Sequence, residues 1–194
     1  MATMSRFEAA WCRSRPWRFF ASRIVLPWAL QGVRPTGDVL EIGAGSGAMA
    51  AALLAGHPQI RMTVTDFDPA MVAAAAQRLA PFADRVTTGQ ADATSLPYDD
   101  NTFDMVLSWI MLHHTMEWEK ALAEAVRATR HDGFVVGYDL LNNAASRALH
   151  GAETAHARMM RLNELRETVR SLPIRQSILT PGLGGNVVRF TLCT

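Results

Sequence analysis

VLEIGAGSGAMAAALL, residues 39–54, is the stretch that decides the fold of this chain. Its apolar beginning suits a buried strand, and its alanine- and leucine-rich end suits a helix. Between them, Gly43, Gly45 and Gly47 stand at every second position. Glycine adopts positive φ readily and lets a ligand approach the main chain closely. The stretch therefore predicts a ligand-binding turn between a strand and a helix.

Two classes of ligand suit such a turn. Gly43, Gly45 and Ala48 fit the G-x-G-x-x-G/A pattern that wraps a dinucleotide pyrophosphate. Gly43, Gly45 and Gly47 also fit a tighter E-x-G-x-G-x-G pattern, which holds the amino-acid end of S-adenosylmethionine. Glu41 favours the second ligand, because an acid before the loop repels a pyrophosphate but can accept hydrogen bonds from loop amides or face an ammonium through water. A tight turn without any ligand is the remaining alternative.

Composition predicts one globular domain in a reducing compartment. The chain has 194 residues, of which 49% are hydrophobic and 19% are charged. Cys12 and Cys193 stand near opposite ends and form neither a metal-ligand spacing nor a disulfide framework, which favours the cytoplasm. No apolar stretch approaches the ~20 residues that span a bilayer. Arginines interrupt the apolar runs before Ile24, so no signal peptide is expected.

Charge is distributed unevenly along the chain. The net charge is +1, but residues 1–36 carry six Arg and one Glu, which leaves the remainder at −4. Within residues 5–35, arginines alternate with aromatic residues. We expect residues 1–36 to form a helical lid or substrate segment over a domain at 37–194. A peripheral contact with anionic lipid is the alternative, and stacking on single-stranded RNA is disfavoured by the negative remainder.

Short β-rich runs alternate with helical runs from residue 37 onward, which predicts a parallel sheet covered by helices on both faces. A five-residue link, 181–185, joins the last two strands, and a link this short suits an antiparallel hairpin. The expected fold is therefore a Rossmann-like α/β/α sandwich whose seven-stranded sheet is mostly parallel with one reversed strand. The predicted strands are 38–43, 60–65, 85–88, 103–109, 133–139, 174–180 and 186–193. The predicted helices are 46–55, 69–80, 117–129 and 152–171. The last helix is read from an apolar stripe at Ala155, Met159, Leu162, Leu165, Val169 and Leu172.

The ligand of such a sheet binds outside the carboxyl ends of its strands. The chemistry is therefore expected just after residues 43, 65, 89, 108 and 138. Asp66 follows the second strand, where an acid can accept both hydroxyls of an adenosine ribose. Asp68 and Pro69 suit the N-cap and first position of a helix. Phe67 suits an adenine face or, equally, the core.

Candidate polar residues also follow the third and fourth strands. Asp92 can accept from an adenine amino group while the Ala93 amide donates to the ring, or Asp92 can simply cap its own turn. His113 and His114 are adjacent, which is not a metal-pair spacing, so no metal is expected. A histidine there is a candidate general base, although a structural histidine is the commoner case.

Four successive motifs together resemble the class I S-adenosylmethionine-dependent methyltransferases of the type 11 group. They are VLEIGAGSG, VTDFDPAMVAAAAQRL, ADATSLPYDDNTFDMVLSWIMLHH and ALAEAVRATRHDGFVVGYDLL, which cover roughly residues 37–141 in order. The resemblance implies an antiparallel seventh strand and S-adenosylmethionine as cofactor, with S-adenosylhomocysteine as product. The implied cofactor residues are Glu41, Gly43, Ala44, Gly45, Gly47, Asp66, Phe67, Met71, Asp92, Ala93, Ser108 and Trp109. Residues 130–133, Arg-His-Asp-Gly, depart from the family's usual L-K-P-G-G turn.

The expected reaction is in-line methyl transfer to a small-molecule or lipid acceptor, with His113 as the candidate base. The fourth strand is followed by neither an N/D-P-P-Y clamp nor a Pro-Cys pair, so a nucleic-acid base is not the expected acceptor. A non-catalytic S-adenosylmethionine-binding protein is the main alternative. A nicotinamide-dependent oxidoreductase is weaker, because Lys120 is the only lysine and no second domain is left.

Overall fold

Seven strands form one sheet in the computed structural model, which describes residues 21–143 and 158–194. Their order across the sheet is β3-β2-β1-β4-β5-β7-β6. Every neighbouring pair is parallel except those of β7, which runs antiparallel to both β5 and β6. The predicted reversed seventh strand is therefore confirmed. The strands are β1 (Asp38–Ile42), β2 (Arg61–Asp66), β3 (Val86–Gln90), β4 (Phe103–Trp109), β5 (Thr129–Leu140), β6 (Gln176–Gly182) and β7 (Val187–Cys193).

Helices cover both faces of this sheet, as the strand–helix alternation predicts. One face packs against the first three helices, and the other face packs against the last two. Because both faces are covered, the central strands are apolar almost throughout, and β1 is buried from Val39 to Ile42. The helices are α1 (Leu26–Leu30), α2 (Ala48–Gly56), α3 (Pro69–Leu79), α4 (Trp118–Ala128) and α5 (Leu162–Ser171).

The prediction of a helix over 152–171 is wrong at its beginning. Residues 152–157 lie outside the described residues, and so does Ala155 of the predicted stripe. Met160 is extended and pairs with Leu141, and the helix begins only at Leu162. The Glu164 carboxylate accepts a hydrogen bond from the Arg161 N–H at 3.0 Å, which caps the helix there. Met159 is buried, but it packs from an extended segment instead of a helical face.

The described part of the N-terminal segment packs on the sheet near its C-terminal hairpin. A π-helical turn, Ala21–Val25, leads into α1. The Trp28 ring meets the Tyr138 ring edge-on at 5.3 Å, and the Arg189 guanidinium lies over Trp28 at 4.8 Å. The Gln31 side chain bonds to a threonine on each of β6 and β7. None of the helices in the described parts of the chain is long and apolar enough to cross a bilayer.

The strand order places a crevice at the carboxyl edge of the sheet. From β1 the chain continues to β2 on one side, whereas β4 lies on the other side of β1 and leads on to β5. Chain connections therefore diverge between β1 and β4, and such a switch point is where open α/β sheets bind their ligands.

Candidate functional site

The glycine turn after β1 has the backbone geometry that the sequence predicts. Gly43, Gly45 and Gly47 have φ of 60°, 55° and 71°, all in the left-handed region. A Cβ at Gly43 would lie 2.7 Å from the Cβ of Met111, closer than real Cβ contacts. Gly43 is therefore required by a protein neighbour from the loop after β4 as well as by its own φ.

Asp66 holds the glycine turn against the end of β2. Its Oδ2 accepts a hydrogen bond from the Gly45 N–H at 2.7 Å, and its Oδ1 accepts from the Asp68 N–H at 2.9 Å. The Ala44 N–H donates to the Thr65 carbonyl at 2.9 Å and closes the same contact. Burial raises the pKa of Asp66, and these N–H groups oppose the rise. The carboxylate thus has a structural task, and its ribose-binding task stays a prediction.

Glu41 is a buried acid at the carboxyl end of β1. It is 1% exposed, and its Oε2 has no hydrogen-bond partner among the described residues. Burial, and to a lesser degree the negative charge of Asp66, raise its pKa to about 8. A buried carboxyl oxygen without a partner is costly, so this atom is suited to a ligand that brings a donor.

Two more buried polar atoms at the end of β4 have no partner within the described residues. They are the Ser108 hydroxyl oxygen and the Trp109 indole nitrogen. In the β1–β4 ladder, Ser108 pairs with Ile42, the residue after Glu41. Ser108 and Trp109 therefore lie one and two positions beyond Glu41 on the neighbouring strand. The ends of β1 and β4 at the switch point therefore carry an acceptor, a hydroxyl and a donor that have no partner within residues 21–143 and 158–194.

The other predicted cofactor residues lie along the same edge. Phe67 is 43% exposed, so the alternative that places it in the core is wrong. Met71 lies half-buried in the first turn of α3, where the Asp68 carboxylate accepts from the Ala70 N–H at 2.8 Å and confirms the predicted N-cap. Asp92 accepts from the Thr94 N–H and hydroxyl, so it caps its own turn. Ala93 is buried next to it. The adenine contacts stay predictions.

His113 forms a buried pair that sequence reasoning missed. Its Nδ1 lies 2.6 Å from Oδ1 of Asp139, and both side chains are fully buried. The Leu112 N–H donates to Oδ2 of Asp139 at 2.7 Å, which fixes the carboxylate. Asp139 directly follows Tyr138, a position where the strand-end rule already predicts chemistry. The His114 ring lies 3.9 Å from the His113 ring and is tilted to it by 41°, and no group of three or more potential metal ligands occurs in the described parts of the chain.

The backbone after β4 is strained at Ile110. Its φ is +50°, which is unusual for a β-branched residue, and its N–H donates to the Tyr138 carbonyl at 2.9 Å. The turn sends Met111 onto Gly43 and brings Leu112 to Asp139. An isoleucine carries no sequence signal for a left-handed turn, so this feature was not predictable.

The sequence of this chain is similar to those of known proteins. Residues 39–133 match the family model described as a methyltransferase domain. The chain is 31% identical over 176 residues to a demethylmenaquinone methyltransferase of Clavibacter sepedonicus, covering 84% of this chain and 67% of the relative. It is 34% identical over 103 residues to a malonyl-[acyl-carrier protein] O-methyltransferase of Geobacter sulfurreducens, covering 53% of this chain and 38% of that relative.

The fold is also similar to that of solved structures. A crystal structure of an S-adenosylmethionine-dependent methyltransferase from Thermotoga maritima superposes with a TM-score of 0.73. The two chains are 20% identical, and the match covers 96% of each. At this identity the likeness concerns the fold.

Proposed function

Because this chain belongs to the S-adenosylmethionine-dependent methyltransferases, we propose that it transfers the cofactor's methyl group to a small-molecule or lipid acceptor at the carboxyl edge of its sheet. The observation that supports this site most directly is the set of buried atoms at the switch point that have no partner in the part of the chain that the structure describes. Glu41 offers an acceptor, Trp109 offers a donor, and Ser108 offers both.

The residues at this edge fit the cofactor. The methionine end of S-adenosylmethionine carries an ammonium and a carboxylate, which match Glu41 and the donors around the glycine turn. Asp66 is the proposed ribose contact, since each of its oxygens retains a lone pair beyond its loop hydrogen bond. Phe67 and Met71 are proposed to flank the adenine, with Asp92 and Ala93 at its polar edge.

The bound cofactor supplies a methyl group that its sulfonium already activates. An acceptor atom with a free lone pair would take this methyl group. What the protein adds is alignment of the two reactants and exclusion of water. Ser108 and Trp109, buried at the end of β4, are proposed to line this position.

His113 is the proposed base for an acceptor that carries a proton, and Asp139 is its positioning residue. We assign the Nδ1 proton to the contact with the Asp139 carboxylate, and this tautomer leaves Nε2 as the basic nitrogen of the ring. Both oxygens of Asp139 bond to backbone N–H groups as well, so the ring is held in one orientation. Asp139→Asn is expected to lower turnover at neutral pH and to flatten its pH profile while leaving cofactor affinity unchanged.

The names of the two relatives support the acceptor class. One is named for demethylmenaquinone and the other for malonyl-[acyl-carrier protein], and neither substrate is a nucleic acid. The acceptor of this chain is accordingly proposed to be a lipophilic small molecule or an acyl compound.

Titration calorimetry with S-adenosylmethionine tests the cofactor site. Asp66→Ala is expected to weaken binding at least about tenfold, because the variant loses a ribose contact and loosens the glycine turn. Asp84→Ala, the same change at an exposed aspartate, serves as the control. Methyl-labelled cofactor is then incubated with fractionated host extract. Label in an organic or aqueous fraction supports the proposal, whereas binding without transfer in any fraction would replace the enzyme with a non-catalytic binding protein.

A further inference from the structure

Exposed apolar side chains are concentrated at the carboxyl edge of the sheet. Among the described residues, five large hydrophobic side chains are exposed. Leu183 (72%), Met116 (59%) and Phe67 (43%) lie in turns that follow β6, β4 and β2, all at this edge. Ile178, on the outer strand β6, is the exception. Single exposed hydrophobics need no explanation, but their concentration around one edge does.

Ile24, which is 54% exposed, also belongs to this edge. Trp28 lies beside Gly182 at the carboxyl end of β6, whereas Gln31 bonds to Thr191, nearer the amino edge. The helical segment therefore runs from the carboxyl edge towards the amino edge, and Ile24 comes one turn before Trp28. The chain reaches α1 from the same side on which the cofactor site opens.

The backbone is strained at Leu183, whose side chain is exposed. Its φ is +49°, a left-handed conformation that disfavours leucine and that glycine adopts freely. The Asn186 side chain donates to the Leu183 carbonyl at 2.6 Å, and the Asn143 side chain donates to the Gly185 carbonyl at 2.8 Å. The tip of the β6–β7 hairpin is thus a fixed structure that presents an apolar side chain to solvent.

Ile24 belongs to a segment whose sequence is rich in arginine. Residues 1–36 carry six Arg and one Glu, whereas the rest of the chain has a net charge of −4. Arg23, next to Ile24, is exposed. Basic residues beside protruding apolar side chains are the combination that binds an anionic lipid surface, where each Lys or Arg adds attraction to the charged headgroups.

We propose that the rim formed by Ile24, Met116 and Leu183 docks on an anionic phospholipid bilayer. All three side chains are exposed at the edge of the sheet where the proposed cofactor site lies. This inference rests on the proposed function and narrows its acceptor to a molecule that resides in the membrane.

Vesicle co-sedimentation tests the rim. The wild type is expected to bind vesicles of equal parts phosphatidylglycerol and phosphatidylcholine, to bind pure phosphatidylcholine weakly, and to be released by salt. Leu183→Asp and Ile24→Asp are each expected to weaken binding about tenfold, because an inserted apolar side chain contributes about that factor. Ile178→Asp, the matched change away from the rim, is expected to bind like the wild type.

Leu183→Gly is the control for misfolding, because glycine adopts the left-handed conformation of this position without strain. It is expected to melt no lower than the wild type and still to bind vesicles more weakly. Wild-type protein that fails to sediment with either vesicle, or an Ile178→Asp variant that loses as much binding as the rim variants, would overturn the docking surface. Calorimetry with S-adenosylmethionine on the same samples separates the two proposals. Cofactor binding without vesicle binding refutes the rim alone, whereas loss of cofactor binding refutes the proposed function.

Discussion

Replacing Glu41 with glutamine is expected to remove a large pH dependence from the stability of the cofactor-free protein. In the folded state, burial and the nearby charge of Asp66 raise the pKa of Glu41 from 4.5 to about 8. Glutamine has nearly the same shape and stays neutral, so it mimics the protonated acid at every pH. The variant therefore isolates the cost of ionising this one group.

The sign and size of the effect follow from linkage. Below pH 4.5 the acid is protonated in both the folded and unfolded states, and its contribution to stability is fully present. As pH rises from 4.5 to about 8, the unfolded state ionises while the folded state keeps its proton, so stability is lost. That span of pKa corresponds to about 5 kcal/mol. For a chain of 194 residues, each kcal/mol shifts the melting temperature by about 2–4 °C.

Thermal melts of the two proteins from pH 4.5 to 9 measure this contribution. The curves are expected to coincide at the acidic end and to separate steadily, with Glu41→Gln melting roughly 10–20 °C above the wild type near pH 8.5. Glu167→Gln, the same change at an exposed side chain, should track the wild type. A Glu41→Gln curve that runs parallel to the wild-type curve would refute a buried Glu41 carboxyl that keeps its proton in the folded protein.

Three further experiments test other features of the structure. Gly43→Ala is expected to lower the melting temperature by several degrees and cofactor affinity at least about tenfold, because its Cβ would meet Met111 at 2.7 Å and its φ is positive. Gly56→Ala, whose Cβ meets no atom within 4 Å, should leave both unchanged or raise the melting temperature slightly, and an equal loss in both variants would contradict the reasoning. Arg127→Ala is expected to lower the free energy of unfolding in urea by about 1–3 kcal/mol and to raise amide exchange in the β3–β4 loop. The reason is that the Arg127 guanidinium bonds to two carboxylates and two loop carbonyls. Unchanged exchange there would show that the loop does not depend on Arg127. Titration of wild-type protein with S-adenosylmethionine in phosphate and in Tris should give different binding heats near pH 7. The reason is that an ammonium beside Glu41 favours loss of the Glu41 proton. Equal heats in the two buffers would place the ammonium elsewhere.

Features carried by local chemistry could be predicted from the sequence. The left-handed glycine turn follows from residues that alone adopt positive φ without strain. The N-cap at Asp68 follows from a short acceptor placed before a proline. The reversed β7 follows from a link too short for a parallel crossover. Each of these depends on a few neighbouring residues, so the sequence determined it.

Prediction was weakest where a distant element competes with a local pattern. The apolar stripe has helical spacing before Leu162 as well, but Met160 pairs with Leu141 and lies outside the helix. Asp92 serves the cofactor or its own turn equally well on sequence grounds, and the structure shows the turn contact. The spacing of apolar residues along the chain indicates which residues are buried. Pairing with a distant strand decides the backbone conformation in which they are buried.

The sequence by itself determined the fold class, the reversed strand and the edge of the sheet at which the candidate site lies. Only the tertiary structure decided which side chains meet there. It pairs His113 with Asp139, 26 positions apart, and it strains Ile110 so that Met111 covers Gly43. It also raises the pKa of Glu41 by removing water from around the carboxyl. Distance, strain and desolvation belong to the packed assembly of strands, and no single segment of the chain encodes them.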